Sequence, residues 1–118
     1  MKKIELELLA LSESNASVHS YAVVLGEKGG RRKLPIIIGS FEAQAIAIEL
    51  EKMKPARPLT HDLLLNFARA FELDLQEVII TDLREGVYFA NLLWINLNEP
   101  GREWVLDART SGAIALAV

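Results

Sequence analysis

Alternation of apolar and polar residues predicts the first strand of this chain. Ile4, Leu6 and Leu8 alternate with Glu5 and Glu7, which is the two-residue period of a strand with one buried face. Further apolar runs of strand length, separated by turn-forming residues such as the glycine pair at 29–30 and the Asn-Glu-Pro-Gly run, are predicted as strands at 18–25, 33–38, 75–81, 87–95 and 104–106. The pattern therefore predicts a strand-rich chain.

Three other segments have helical spacing. The first, 41–52, follows Ser40 as an expected N-cap and is apolar nearly all round, so we expect it to be buried. The second follows Thr60 as its expected cap, and the third begins near Arg109. One face of the second helix carries three large apolar residues spaced one turn apart, Leu63, Phe67 and Phe71.

The two halves of the chain match each other at a single offset. Residues 21–25 correspond to 89–93, and residues 45–48 correspond to 113–116, both 68 positions later and without a gap. Two ungapped matches at one offset are unlikely by chance. The sequence therefore predicts an α+β fold built from an internally duplicated β-β-β-α unit, with its sheet packed against helices.

These boundaries define one domain. A chain of 118 residues that is 51% hydrophobic is large enough for one core and too small for two. We predict a first copy at about 3–53, a second copy at about 74–118 and an inserted helix at about 59–72 between them. Because the short final helix is so apolar, it would be partly exposed in a monomer, and we expect a homo-oligomer.

Composition narrows the classes of function. Thirteen Lys and Arg against sixteen Asp and Glu give a net charge of −3, which argues against broad electrostatic attraction to nucleic acid, so any such contact would be local. The absence of cysteine excludes disulfides, thiolate metal ligands and a cysteine nucleophile. No apolar stretch approaches the length of a membrane span, so we expect a cytoplasmic protein of bacterial type with no membrane partner.

Polar residues collect at the predicted starts of all three helices, at 39–42, 57–62 and 107–111. Capping explains each of these segments taken alone, because Ser, Thr and Asp bond to free amides and acidic residues favour the first turn. In a functional interpretation, Glu42, Asp62 and Asp107 hold a divalent cation such as Mg²⁺ or Mn²⁺ that activates water. His61 is then the candidate base, although it neighbours Asp62 on the helix and is expected to point away from it.

The same helix starts can bind phosphate. Arginine grips a phosphate group through two parallel hydrogen bonds, so Arg57 and Arg109 are the candidate phosphate-binding residues, together with Ser111. The basic run at 27–33 could clamp a nucleic-acid backbone, but a solvated hairpin tip has the same composition and is favoured. His19 lies in a predicted strand and is interpreted as a structural residue.

Three motifs in order resemble the bifunctional nuclease (DNase/RNase) domain family. They are Leu-Pro-Ile-Ile-Ile-Gly at 34–39 with Glu42 following, Arg-Pro-Leu-Thr-His-Asp-Leu at 57–63, and Asp-Ala-Arg-Thr-Ser-Gly-Ala-Ile-Ala-Leu-Ala at 107–117. The resemblance covers nearly the whole chain. It implies a metal-assisted nuclease that acts on both DNA and RNA, with the candidate residues above as its site.

The chain departs from the family pattern at one position. Residues 111–113 read Ser-Gly-Ala where the family motif usually reads Ser-Asp-Ala, so one carboxylate that the resemblance implies as a ligand is missing. Two other functions therefore stay open. One is a non-catalytic oligomeric interaction module in which the polar residues cap helices, and the other is a module that binds an anion and leaves it intact.

Overall fold

A computed structural model describes residues 3–13 and 20–118. His19 lies outside these residues. The elements follow in the order β1 (Leu6–Glu13), β2 (Ser20–Glu27), β3 (Lys33–Gly39), α1 (Ser40–Leu50), α2 (Thr60–Ala70), β4 (Leu73–Arg84), β5 (Val87–Asn96), β6 (Glu103–Arg109) and α3 (Thr110–Ala117). No helix in the described ranges is long and apolar enough to cross a membrane.

The strands form two three-stranded antiparallel sheets, ordered β1-β2-β3 and β4-β5-β6. With three helices beside them, this is the α+β class that the sequence predicts. The hairpin between β4 and β5 has only Glu85 and Gly86 between the paired residues Arg84 and Val87. Both loop residues have positive φ angles, 49° and 78°, as a two-residue type I′ turn requires, and this favours glycine at position 86.

Each sheet is followed by a helix, with α2 between the two groups. The uniform offset of 68, however, does not extend to the helix starts, because α1 begins at Ser40 and α3 begins at Thr110, 70 positions later. The ladders differ as well, since Tyr21 pairs with Ile38 whereas Phe89 pairs with Arg109. An internal duplication with copies at about 3–53 and 74–118 therefore remains a prediction.

Helix α3 is the centre of the core. Its Ile114 and Ala115 pack into a cluster with the first sheet and α1, while its Ala113 and Leu116 pack into a second cluster with the second sheet and α2. Small side chains at alternate positions let neighbouring elements approach α3 on both sides. The expectation that this helix is partly exposed in a monomer is therefore wrong.

Helix α1 is buried on one side only. Ala43, Ala45 and Ile46 are buried, but Phe41 in the first turn is 84% exposed and Leu50 in the last turn is 49% exposed. Apolar residues around a whole helix therefore do not ensure its burial, because the packing of α1 against the first sheet and α3 leaves Phe41 and Leu50 uncovered.

The helix starts lie one residue earlier than the capping preferences indicate. Ser40 and Thr60 are the first residues of α1 and α2, and the N-cap positions belong to Gly39, Leu59 and, for α3, Arg109. None of these three N-cap side chains bonds to its helix. Expecting hydroxyl caps at Ser40 and Thr60 was therefore wrong, and in α2 it is the third residue, Asp62, that bonds to the helix start instead.

Candidate metal centre between the first and second helices

Three side chains that can ligate a metal meet where α1 ends and α2 begins. Glu49 lies in the last turn of α1, and His61 and Asp62 are the second and third residues of α2. One ligand atom from each lies within 4.8 Å of the other two, and no other such group forms among residues 3–13 and 20–118. The loop between the helices therefore brings the start of α2 close to the end of α1.

His61 and Asp62 approach each other, although neighbouring residues on a helix are expected to diverge. The Nε2 atom of His61 lies 3.2 Å from Oδ1 of Asp62. The carboxylate reaches this position because it folds back toward the N-terminus of α2, which brings one oxygen beside the imidazole. Expecting the two side chains to point apart was wrong for this reason.

The imidazole Nε2 atom is an unusual feature of this site. It is buried and, within the described structure, has no hydrogen-bond partner, because its geometry toward Asp62 does not satisfy a hydrogen bond. A buried polar atom without a partner is unfavourable by about 1–3 kcal/mol. Such an atom next to two carboxylates has the arrangement expected of a ligand.

Asp62 also has a structural role. Its Oδ2 atom accepts a hydrogen bond of 2.9 Å from the backbone N–H of Leu59, which satisfies one free amide at the start of α2. Its Oδ1 atom is the one that faces His61. The two carboxylate oxygens are therefore engaged in different directions, and capping does not exclude ligation.

The spacing of these atoms fits a divalent cation. Metal–ligand bonds of about 2.0–2.2 Å place neighbouring ligand atoms about 3.0–3.4 Å apart, and the 3.2 Å between His61 and Asp62 falls in this interval. Glu49 is exposed, so its side chain can rotate to bring its carboxylate closer to the ligand atoms of His61 and Asp62, which lie within 4.8 Å of it. One imidazole and two carboxylates suit Mn²⁺ or Zn²⁺ better than Mg²⁺, which prefers oxygen ligands.

The other predicted carboxylates do not join this group. Glu42 is the third residue of α1, and its Oε2 atom folds back over Gly39, where it would lie 3.1 Å from a Cβ at that position. Asp107 is exposed on β6, opposite Asn91 in the ladder. The structure thus places Asp62 with Glu49 and His61 rather than with Glu42 and Asp107.

The predicted phosphate-binding residues lie on two different helix starts. Arg57 is exposed in the loop that precedes α2, three residues before Thr60. Arg109 is exposed at the N-cap of α3, and Ser111 is half-buried as the second residue of that helix. Neither guanidinium forms an ion pair with a residue of the described structure, so both remain available to an anion.

The basic run at 27–33 is the tip of the β2–β3 hairpin, and two of its four cations are already engaged. Arg32 donates two hydrogen bonds of 2.9 Å to the carboxylate of Glu27. These bonds hold the pKa of Glu27 below its ordinary value. Lys28 lies 3.4 Å from a carboxylate oxygen of Glu5. This arrangement weakens the case for a nucleic-acid clamp.

Glu49 is the functional candidate that sequence reasoning missed. A signal for it exists, because an acidic residue in the last turn of a helix faces the negative end of the helix dipole. No basic residue in the last turn of α1 offsets it. A carboxylate at this electrostatically unfavourable position therefore indicates a role outside the helix.

Comparison with known proteins identifies the family to which this chain belongs. Residues 23–118 match the bifunctional nuclease domain, and the chain is a member of that family. Two uncharacterized proteins of Mycobacterium tuberculosis, from two strains, are each 42% identical to it over 96 residues. The match covers 81% of this chain and 55% of each relative, so the chain spans about half the length of these relatives.

Proposed function

We propose that this chain hydrolyses phosphodiester bonds of DNA and RNA at the site formed by Glu49, His61 and Asp62. The observation that carries the proposal is the meeting of three ligand side chains, one with a buried and unpartnered imidazole nitrogen, between two helices. Membership of the bifunctional nuclease domain family supports the class of substrate.

Each residue has one role in this proposal. A divalent cation in the site would polarise the phosphate and lower the pKa of a bound water molecule toward neutrality. Glu49, His61 and Asp62 would hold the cation, so the Nε2 atom of His61 acts as a ligand and is not available as a base. Arg57, exposed in the loop before α2, would contact a phosphate oxygen through its guanidinium group.

A second candidate function is a non-catalytic interaction or anion-binding module. It is favoured by the hydrogen bond from Leu59 to Asp62 and by the folding of Glu42 over its own helix start, since both carboxylates then have structural roles. In this function Arg57 and Arg109 would bind an anion and release it without chemical change. The two functions differ in whether the bound ester is cleaved.

A nuclease assay separates them. Labelled single-stranded DNA and RNA are incubated with the protein and Mn²⁺, Zn²⁺ or Mg²⁺, and with EDTA. We expect metal-dependent cleavage that His61→Ala and Glu49→Gln reduce at least about 100-fold, the range seen when groups that stabilise a transition state are removed. Glu51→Gln is the matched control, because it removes an exposed carboxylate two residues further along and should leave the rate unchanged.

Asp107→Ala tests the ligand set itself. The structure gathers Asp62 with Glu49 and His61, so we expect Asp107→Ala to retain cleavage. Cleavage lost with Asp107→Ala and retained with Glu49→Gln would instead support the ligand set that the sequence predicts. Binding of labelled DNA without cleavage under any metal condition would favour the second function.

A further inference from the structure

We propose that the apolar face of α2 is the docking surface for the same face of a second copy of this chain. The face consists of Leu63, Leu64, Phe67 and Phe71 and is called the α2 stripe below. These residues are 63%, 45%, 62% and 63% exposed, respectively. Ala68, on the adjoining face of α2, packs into the core, whereas the stripe residues keep 45–63% of their surface exposed.

The area of the stripe is close to what a dimer needs. With about 200 Å² for a fully exposed aromatic side chain, Phe67 and Phe71 expose about 250 Å² together, and the two leucines bring the stripe to about 400 Å². Two facing stripes would bury about 800 Å² of apolar surface. Since the fully buried part of an interface is about 65% apolar, the whole contact reaches about 1,200 Å², the lower end of stable interfaces.

The chemistry of the stripe favours a copy of itself over nucleic acid. Surfaces that stack bases combine aromatic rings with cations that follow the phosphate backbone. Arg69 is the one Lys or Arg in α2, and its guanidinium lies 3.4 Å from Asn66 on the same helix. Leu63 and Leu64 offer no ring to a base, whereas they suit an apolar protein surface.

The stripe is also compatible with twofold symmetry. Leu63, Phe67 and Phe71 are evenly spaced, so a twofold axis through Phe67 places Leu63 of one copy opposite Phe71 of the other. Because the stripe carries no charge, the symmetric contact brings no like charges together. The rings of Phe67 and Phe71 already contact each other, with centroids 5.0 Å apart and planes tilted by 47°, so they form one continuous aromatic surface.

The proposed metal ligands stay accessible in this arrangement. His61 and Asp62 are directed to the junction with Glu49 on α1, away from the exposed stripe. Dimerisation therefore neither requires nor blocks the proposed nuclease function, and an experiment can refute either proposal without affecting the other.

The absence of cysteine from the sequence allows a direct test. Phe67→Cys places one thiol per chain beside the proposed twofold axis, within the reach of about 7 Å between Cα atoms that a disulfide allows. Mild oxidation should give a covalent dimer on a non-reducing gel. Phe41→Cys is the matched control, because Phe41 is 84% exposed but lies on a different helix. This variant should remain monomeric on the gel.

Sedimentation of the uncrosslinked protein supplies the second measurement. We expect the parent chain to sediment as a dimer and Phe67→Asp to raise its dissociation constant at least about 30-fold, as loss of a central aromatic anchor does. Phe41→Asp should leave the dimer intact, and circular dichroism checks that both variants fold. A monomeric parent chain, a dimer unaffected by Phe67→Asp, or a dimer lost only with Phe41→Asp would each overturn the proposal.

Discussion

Replacing Gly112 by aspartate should stabilise the fold. Gly112 is the third residue of α3, the position that Glu42 occupies in α1 and Asp62 in α2. A Cβ at Gly112 would meet no atom within 4 Å, and the backbone is not in the left-handed region. The side chain can therefore be added without strain, beside the free amides of the first turn.

Three effects contribute to the expected gain. Aspartate is favoured over glycine in a helix by about 0.3 kcal/mol, and a carboxylate near a helix N-terminus contributes about 0.3–1 kcal/mol through the dipole. A hydrogen bond to a free first-turn amide adds about 0.5 kcal/mol. The total is about 1.1–1.8 kcal/mol, which for a domain of this size raises the midpoint of thermal unfolding by about 4–7 °C.

Thermal and urea unfolding of Gly112→Asp, Gly112→Asn and Gly112→Ala separate these effects. Alanine tests helix propensity alone, and asparagine retains the shape of aspartate without its charge. We expect aspartate to be the most stable of the three, with an advantage over asparagine that shrinks as salt is added. If the aspartate variant is no more stable than the alanine variant, the first turn of α3 does not offer the free amides on which this reasoning depends.

Three further predictions concern the core, the hairpin tip and the cap. Ile46→Ala, at a fully buried residue, should lower the free energy of unfolding in urea by about 2–5 kcal/mol, whereas Phe41→Ala should change it by less than about 0.5 kcal/mol. Arg32→Ala should raise the pKa of Glu27 toward its ordinary value in an NMR titration, because the hydrogen bonds that lower it are lost. Because the pKa of Glu27 is lower in the folded than in the unfolded chain, its ionised form stabilises the fold at a pH above the unfolded pKa. The stability advantage of the parent chain over Arg32→Ala should therefore disappear as the pH falls through the folded pKa of Glu27. Asp62→Ala should lower the free energy of unfolding by about 0.5–2 kcal/mol through loss of the cap, and Asp62→Asn should lower it by less. Calorimetric titration with Mn²⁺ or Zn²⁺ should show weaker metal binding in both variants.

Elements set by local patterns could be predicted from the sequence. The strands β3 and β5 were placed within one residue at each end, because apolar runs bounded by turn residues specify them directly. The turn at Glu85 and Gly86 also follows from local chemistry, since a two-residue hairpin needs positive φ angles. These features depend on neighbours in sequence and not on the fold.

Features set by tertiary contacts could not be predicted in this way. The burial of α3 depends on two sheets and two helices that meet around it, and an apolar helix of eight residues looks the same whether it is buried in its own chain or in an oligomer. Glu49 belongs to the candidate site only because the loop after α1 brings the start of α2 close to the end of α1. Sequence reasoning instead grouped carboxylates by their common position at helix starts, and position within an element does not determine which elements are adjacent.

Asp62 shows why the structural and catalytic interpretations of a helix start need not compete. A carboxylate that caps a helix uses one oxygen for the amide, and this bond fixes the direction of the other oxygen. Here the bond from the backbone of Leu59 holds the second oxygen 3.2 Å from the imidazole of His61. Glu42 folds back over its helix in a similar way, but no imidazole shares a ligand group with it in the described structure. The difference between a capped helix and a candidate metal centre therefore lies in which side chain the free oxygen meets, and that is decided by the neighbouring helix.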